Sequence, residues 1–138
     1  MKLSLELQGK VCCYCKERTE FVDSSKVYGK SYGMIYLCEP CNAWVGVHKG
    51  TDQALGRVAN KKLREAKQRA HYYFDKISKT GLINKIWPEY IPNISNRNKA
   101  YLWLSKMLKI DREYCHIGMM DLQQCNRVIE VSKKHIYK

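Results

Sequence analysis

Two pairs of cysteines are the residues of this chain best suited to a defined chemistry. Cys12 and Cys15 form one C-x2-C pair, Cys38 and Cys41 form a second, and 22 residues separate the pairs. Two thiolates three residues apart on a tight turn bind one side of a tetrahedral ion, and a second such turn completes the coordination. The spacing predicts one structural Zn2+, because four sulfur ligands leave no open position for catalysis.

The first pair has an alternative ligand, because Cys13 stands beside Cys12. The interval from Cys13 to Cys15 is too short for a C-x2-C turn, so Cys12 is the predicted ligand. Buried free cysteines are an alternative for all four positions, but two matched pairs favour zinc. A redox function is disfavoured, because neither pair has the strand-to-helix setting that a redox motif needs.

Histidines suggest a catalytic hypothesis. His71 and Asp75 are four residues apart and share one face of a helix. With His48 and His116 they would form a metal-dependent hydrolase site. No H-E-x-x-H motif or paired-carboxylate motif supports this site, so the sequence favours a protein without catalytic activity.

A further candidate metal set lies near the end of the chain. It combines Cys115 and His116 with Cys125 and His135. The spacing matches no standard zinc finger, and Cys125 falls on an apolar helical stripe. Core packing is therefore the favoured prediction for these residues.

Positive charge is concentrated in the middle of the chain. The sequence has 25 lysines and arginines against 13 acidic residues, a formal charge of +12, and residues 51–100 hold 11 of the basic and 4 of the acidic side chains. Solubility needs a charge magnitude of only about 2–8 in a small domain. The excess predicts binding of a polyanion through counterion release. The predicted contact residues are the basic side chains on and before one helix, namely Lys49, Arg57, Lys61, Lys62, Arg64, Lys67 and Arg69.

The same charge is compatible with two different roles. A solvated helix face keeps a protein soluble without binding anything, and an acidic protein surface attracts the same cations as a nucleic acid does. The sequence also has ten tyrosines and three tryptophans. Most of these are expected to pack, but some offer stacking platforms for unpaired bases. Nucleic acid or a nucleoprotein is therefore the expected partner.

Short strands followed by helices are predicted to position these residues. Residues 21–37 have the pattern of a hairpin that turns between Gly29 and Gly33, and residues 43–48 that of a third strand. Asn60, Ser95 and the pair Asp121 and Gln124 are the predicted caps of helices over 60–77, 96–109 and 122–134. Apolar periodicity predicts a buried stripe on each helix, namely Leu63, Ala66, Ala70, Phe74 and Ile77 on the first, Ala100, Leu104 and Leu108 on the second, and Leu122, Cys125, Val128, Ile129 and Ser132 on the third.

The predicted fold class is α+β. A zinc-ribbon module over residues 1–56 is expected to pack against about three α-helices in residues 57–138 as one compact unit. No apolar run approaches the roughly 20 residues that a membrane helix needs, and the first residues lack the apolar stretch of a signal peptide. A cytoplasmic protein without a membrane partner is expected. Cytoplasmic thiols stay reduced, which again favours metal binding by the 7 cysteines.

Several motifs along most of the chain follow a shared pattern. They are Cys12–Cys15, Val22–Gly33, Tyr36–Cys41, Val45–Thr51, Leu55–Arg57, Ala70-His71, Phe74-Asp75, Tyr101–Leu104 and Cys115–Met119. In these motifs the chain resembles the small zinc-finger-containing proteins of phages and prophages. The resemblance implies a four-cysteine zinc site and a phage or prophage origin, with the protein acting in the host cytoplasm. It brings no assigned activity.

The first knuckle departs from the family pattern, which usually reads Cys-Pro-x-Cys-Gly. Here Cys13 stands at the proline position and Lys16 at the glycine position. The family pattern also includes His48, His71 and His116.

We expect a non-catalytic zinc protein that binds nucleic acid or a nucleoprotein through its basic helix. The alternative is a phage-encoded inhibitor that binds a host nucleic-acid enzyme, for instance a defence nuclease. A second alternative is a metal-dependent nuclease or hydrolase. No small-molecule substrate is implied by the sequence.

Overall fold

A computed structural model describes residues 3–137, which form two compact units. The first unit ends at Arg64, and the second begins at Glu65. The β-sheet belongs to the first unit, and most helical residues belong to the second. The α+β class is therefore confirmed, whereas the boundary between residues 56 and 57 stays a prediction. Over residues 3–137, every helix is too short or too polar to cross a lipid bilayer.

Three antiparallel strands form the sheet of the first unit. They are β1 (Glu20–Asp23), β2 (Met34–Cys38) and β3 (Ala43–Gly46), in the order β1-β2-β3. Tyr36 lies opposite Phe21 on one side and opposite Val45 on the other. The predicted hairpin and third strand are thus present, although the third strand ends two residues earlier than expected.

The two faces of the sheet have different surroundings. Because side chains alternate along a strand, Tyr36 and Cys38 share one face and Leu37 points to the other. The first face contributes to a small buried core that consists of Cys12, Tyr36, Cys38, Ala43, Val45 and Val58. The second face, here called the outer face, includes Ile35, Leu37 and Trp44.

The connection between β1 and β2 contains one helical turn that the sequence did not predict. This turn is α1 (Ser25–Tyr28), and it ends at Gly29 in the left-handed region, with φ of 73°. The Asp23 carboxylate accepts a hydrogen bond from the Ser25 amide (2.9 Å) just before the turn. Such local side-chain bonds to the backbone favour turns over extended strands, which explains why the strands are shorter than the predicted hairpin.

Three longer helices match the sequence expectation to within two residues at each end. They are α2 (Lys61–Ser78), α4 (Asn96–Leu108) and α5 (Leu122–Ile136). A single additional turn, α3 (Ile83–Ile86), was not predicted, because four residues are too few to show helical periodicity. Two short 3-10 turns lie between α4 and α5, at Arg112–Tyr114 and Ile117–Met119.

Each of the three longer helices begins at a side-chain cap, and each cap is at the residue that the sequence predicts. The side chains of Asn60 (3.0 Å) and Ser95 (3.1 Å) each accept a hydrogen bond from the backbone amide three residues later. Asp121 and Gln124 form a complete capping box, in which each side chain accepts from the other residue's amide. These bonds satisfy amides that have no partner within a helix.

The apolar stripes of the helices are buried as predicted, except that Leu122 is only half-buried. In α2, all five stripe residues are buried, namely Leu63, Ala66, Ala70, Phe74 and Ile77. In α4 and α5, the buried residues include Ala100, Leu104, Leu108, Cys125, Val128, Ile129 and Ser132. Met107, which lies beside the α4 stripe, is exposed. The second unit therefore has a core built from helix faces.

The cap of α5 gives a direct test of this unit. We expect Asp121→Ala to lower the free energy of unfolding by about 1 kcal/mol, because it removes one half of the capping box. Asp111→Ala is the matched control, since the Asp111 side chain precedes a 3-10 turn without capping it. Urea denaturation measures both variants, and equal effects would contradict the assigned cap.

Candidate metal centre and cationic surface

The first cysteine pair lies on a tight turn held by backbone hydrogen bonds. The Cys12 amide donates to the Glu17 carbonyl (2.8 Å), and the Lys16 amide donates back to the Cys12 carbonyl (2.9 Å). The Tyr14 amide also donates to the Cys12 sulfur (3.4 Å). Amide bonds to sulfur stabilise a thiolate and fix its direction. The turn therefore presents Cys12 and Cys15 toward one point.

The second cysteine pair occupies the loop of the β2–β3 hairpin. Cys38 ends β2 and pairs with Ala43, which begins β3. Within the loop, the Asn42 amide donates to the Glu39 carbonyl (3.0 Å). Because the hairpin fixes both ends of this short loop, Cys41 returns to the side of the sheet on which Cys38 lies.

Both turns use the same backbone conformation after their second cysteine. Lys16 follows Cys15 with φ of 66°, and Asn42 follows Cys41 with φ of 51°. This left-handed region favours glycine and also tolerates asparagine. Lys16 therefore occupies a position that suits the glycine of the family pattern. Its side chain forms an ion pair with Glu6 (2.6 Å).

The four cysteines converge on one point. The sulfur atoms of Cys12, Cys15, Cys38 and Cys41 all lie within 4.8 Å of one another, and those of Cys15 and Cys38 are 3.6 Å apart. A tetrahedral ion with sulfur about 2.3 Å away needs sulfur atoms about 3.8 Å apart, so the cluster fits Zn2+. The Cys13 thiol instead donates to the Val58 carbonyl (3.4 Å). The cluster is the site of one structural Zn2+.

Proton and metal binding compete at this cluster. Burial, together with hydrogen bonds to Cys15 and its neighbours, raises the pKa of Cys41 to about 12. Burial also raises the pKa of Cys38, whereas the Glu17 amide lowers the pKa of Cys15. Zinc must displace the protons that the Cys38 and Cys41 thiols hold at neutral pH. Zinc affinity therefore falls as the pH falls.

The fold and the cluster define a zinc-ribbon-like protein. Residues 8–135 match the pattern of a family described as a zinc-finger-containing domain. Since the match covers nearly the whole chain, the chain belongs to this family. No curated protein and no solved structure is significantly similar to it.

Four of the predicted contact cations are exposed. They are Lys49, which follows β3, and three residues of α2, namely Lys61, Lys62 and Arg69. In the part of the chain that the structure describes, none of the four lies within 4.0 Å of a carboxylate oxygen. These charges are therefore available to an anionic partner.

The other three predicted contact cations have partners within the protein. The Arg64 guanidinium lies over the Trp44 ring, 3.7 Å from its centroid, and donates to the Ala59 carbonyl (2.6 Å). Lys67 donates to the Gly118 carbonyl (2.8 Å). Arg57 is half-buried and acts electrostatically on Cys13. Arg64 and Lys67 thus combine a structural contact with their charge.

The proposed hydrolase residues are distributed over both units. His48 lies in the loop after β3, in the first unit. In the second unit, Asp75 pairs with Lys79 (3.4 Å), and desolvation lowers the pKa of His71 although Asp75 opposes the shift. The His116 ring lies 5.1 Å from that of Tyr101. The hydrolase stays a prediction.

The second candidate metal set consists of residues with individual packing roles. Cys115 and Cys125 are buried. Burial raises the pKa of Cys115 to about 11, so this thiol stays protonated at neutral pH. The His135 ring lies against Trp103, with centroids 5.1 Å apart. Over residues 3–137, one set of three or more histidine, cysteine or acidic side chains has converging ligand atoms. It is the cluster of Cys12, Cys15, Cys38 and Cys41.

Sequence reasoning missed a group of aromatic side chains on the outer face of the sheet. Tyr28 and Tyr32 lie in the β1–β2 connection, and Trp44 lies in β3. Their rings form a chain of edge contacts, Tyr32 to Tyr28 and Tyr28 to Trp44. Two tyrosines four residues apart in a glycine-flanked connection were a visible signal. Their contact with Trp44 depends on the register of the strands, and this register cannot be read from the sequence.

Adjacent cysteines make a sharp test of the ligand set. We expect Cys12→Ser to abolish binding of the single zinc ion, because Cys12 belongs to the converging cluster. Cys13→Ser should retain one zinc per chain, because the Cys13 sulfur lies outside the cluster and bonds to Val58. Elemental analysis of the purified variants measures the zinc content. Zinc loss in the Cys13 variant with retention in the Cys12 variant would reverse the assignment.

The left-handed residue of the first turn gives a second test. Lys16→Val and Lys16→Gly both remove the ion pair with Glu6, so their difference isolates the backbone. We expect the valine variant to be less stable than the glycine variant by about 1–2 kcal/mol, because a β-branched residue is strained at positive φ. Thermal unfolding with zinc bound measures the difference, and equal stability would show that the turn relaxes.

Proposed function

We propose that this zinc protein is a non-catalytic binder of nucleic acid or of a nucleoprotein, and that the exposed cations of the first unit and of α2 make the contact. The observation that carries the proposal is the pair Lys61 and Lys62 at the start of α2. Both are exposed and, within the described chain, lie beyond 4.0 Å of any carboxylate. Such cations gain affinity for phosphates by releasing counterions.

The zinc site supports this surface by fixing the chain just before α2. The Tyr14 hydroxyl accepts a hydrogen bond from the Asn60 amide (3.2 Å), and Tyr14 lies inside the first cysteine turn. The Cys13 thiol bonds to Val58 in the same segment. The metal-bound turn therefore positions the residue that caps the basic helix. In this proposal zinc is structural, and it neither contacts nor activates a ligand.

Salt dependence tests the proposal. We expect the double variant Lys61→Gln/Lys62→Gln to bind a fluorescent oligonucleotide more weakly than the parent, regardless of its sequence. The slope of log affinity against log salt should fall by about 1.4 for single strands and about 1.8 for duplex, because two phosphate contacts are lost. Fluorescence anisotropy over a salt series measures both quantities.

A matched control removes the same charge elsewhere. Lys106→Gln/Lys134→Gln replaces two exposed lysines of α4 and α5, and it should leave the slope close to that of the parent. If both double variants reduce affinity and slope equally, the binding follows net charge and not this surface. If the parent affinity is insensitive to salt, the proposal is wrong.

The same surface is compatible with an acidic protein as the partner. A phage or prophage origin, which the sequence resemblance supports, makes an inhibitor of a host nucleic-acid enzyme the alternative function. Under that alternative, the protein is retained on heparin, shifts neither single-stranded nor duplex probes, and co-purifies with one host protein. The nucleic-acid proposal requires a shift of at least one probe by the purified protein.

A further inference from the structure

We propose that the outer face of the sheet binds the unpaired bases of a single-stranded nucleic acid by stacking them on Tyr28 and Tyr32. This inference rests on the proposed function and adds the form of nucleic acid and the residues that select it. An open cleft of about 610 Å3 lies on this face of the first unit. Its lining includes Tyr28, Tyr32, Trp44 and Lys49.

The aromatic rings of this cleft form a continuous row. The centroids of Tyr32 and Tyr28 are 5.6 Å apart, those of Tyr28 and Trp44 are 5.8 Å apart, and both pairs meet edge to face. The Trp44 indole nitrogen donates to the Tyr28 hydroxyl (2.8 Å). A row of separate rings suits successive bases, because each base has a flat surface and stacking tolerates any sequence.

The tyrosines of this row remain exposed although they are held in place. Tyr32 is 72% exposed and Tyr28 is 53% exposed. A tyrosine that serves only to fill a core has its ring buried and its hydroxyl bonded. Here the Tyr28 hydroxyl is bonded while its ring stays accessible, so the ring contributes little to the core and is available to a ligand.

The loop that displays the tyrosines is fixed by hydrogen bonds. Ser24 is only 1% exposed; its hydroxyl accepts from the Tyr32 amide (2.7 Å), and its own amide donates to Gly33 (2.8 Å). Asp23 also accepts from the Ser31 hydroxyl (2.8 Å). A loop that is already ordered loses less conformational entropy on binding than a mobile loop does. The tyrosines are therefore preorganised for stacking.

The charges around the row match a phosphate backbone. The Lys30 ammonium lies 5.9 Å from the Tyr32 centroid, and the Arg64 guanidinium lies over Trp44 at the other end of the row. Lys49, which follows β3, also lines the cleft. Among the described residues that line the cleft, there is no aspartate or glutamate. These charges favour an anionic ligand that has exposed aromatic rings of its own, such as a single-stranded nucleic acid, over an apolar peptide.

The preference for single strands follows from access to the bases. In a duplex, the faces of the bases are already stacked on their neighbours, and tyrosines on a sheet surface reach only the backbone. In a single strand the bases turn outward and stack on protein rings. The cleft should therefore bind a single strand more tightly than a duplex of the same sequence.

Matched probes and variants test the inference on the full zinc-bound protein. The probes are a fluorescent thymine oligonucleotide of about 15 nucleotides, within the site sizes known for such proteins, the same length with abasic sugars, and a duplex. We expect the thymine probe to bind best. Tyr32→Ala should weaken its binding at least about fivefold, Tyr32→Trp should retain it, and both should leave abasic binding unchanged.

Three further variants separate stacking from folding. Tyr90→Ala removes the most exposed tyrosine of the second unit, 84% exposed, and should have no effect on any probe. Tyr28→Phe keeps the ring but loses the bond from Trp44, so it should weaken thymine binding less than Tyr28→Ala does. Zinc content and circular dichroism establish that each variant is folded.

The outcomes distinguish this inference from the proposed function. If the parent binds thymine, abasic and duplex probes equally, and Tyr32→Ala and Tyr28→Ala change nothing, the stacking inference is wrong while polyanion binding stands. If the parent binds none of the three probes, both proposals are wrong. Selective loss of thymine binding in Tyr32→Ala and Tyr28→Ala, with binding retained in Tyr90→Ala, supports both proposals.

Discussion

The convergence of four thiolates on one ion is the interaction on which the first unit depends. One buried cluster of this unit has six described residues, and two of them, Cys12 and Cys38, are metal ligands. Small domains bury a limited apolar surface and commonly rely on metals for this reason. The metal joins the turn that holds Cys12 and Cys15 to the β2–β3 hairpin. The ordered structure of the sheet and of its neighbouring loops therefore depends on metal binding.

The start of the long helix α2 is tied to the same centre. Tyr14 and Cys13 lie within the first cysteine turn, and they bond to Asn60 and Val58 before the helix. Arg64, one turn into the helix, lies over Trp44 of β3. The cationic helix start is thus attached to the sheet through hydrogen bonds and a ring contact, and its geometry depends on a correctly formed metal site.

Local features were predictable from the sequence, whereas contacts between residues far apart in the sequence were not. The cysteine pairs and the caps at Ser95 and Asp121 involve residues a few positions apart, so their spacing reveals them. A helical projection places Arg64 on a solvated cationic face, yet the structure has it against Trp44, which is 20 positions earlier in the sequence. The turn α1 was missed because Asp23 bonds locally and ends the strand.

The two sides of the sheet also differ in electrical sign. Zinc with four thiolates has a net negative charge, and Cys38 lies on the face opposite Trp44, Arg64 and the outer cleft. The zinc centre and the Arg64 guanidinium therefore lie on opposite sides of the sheet. Under the proposed function, a polyanion would be repelled by the zinc centre and attracted to the side of Arg64, which would favour its approach toward the aromatic row.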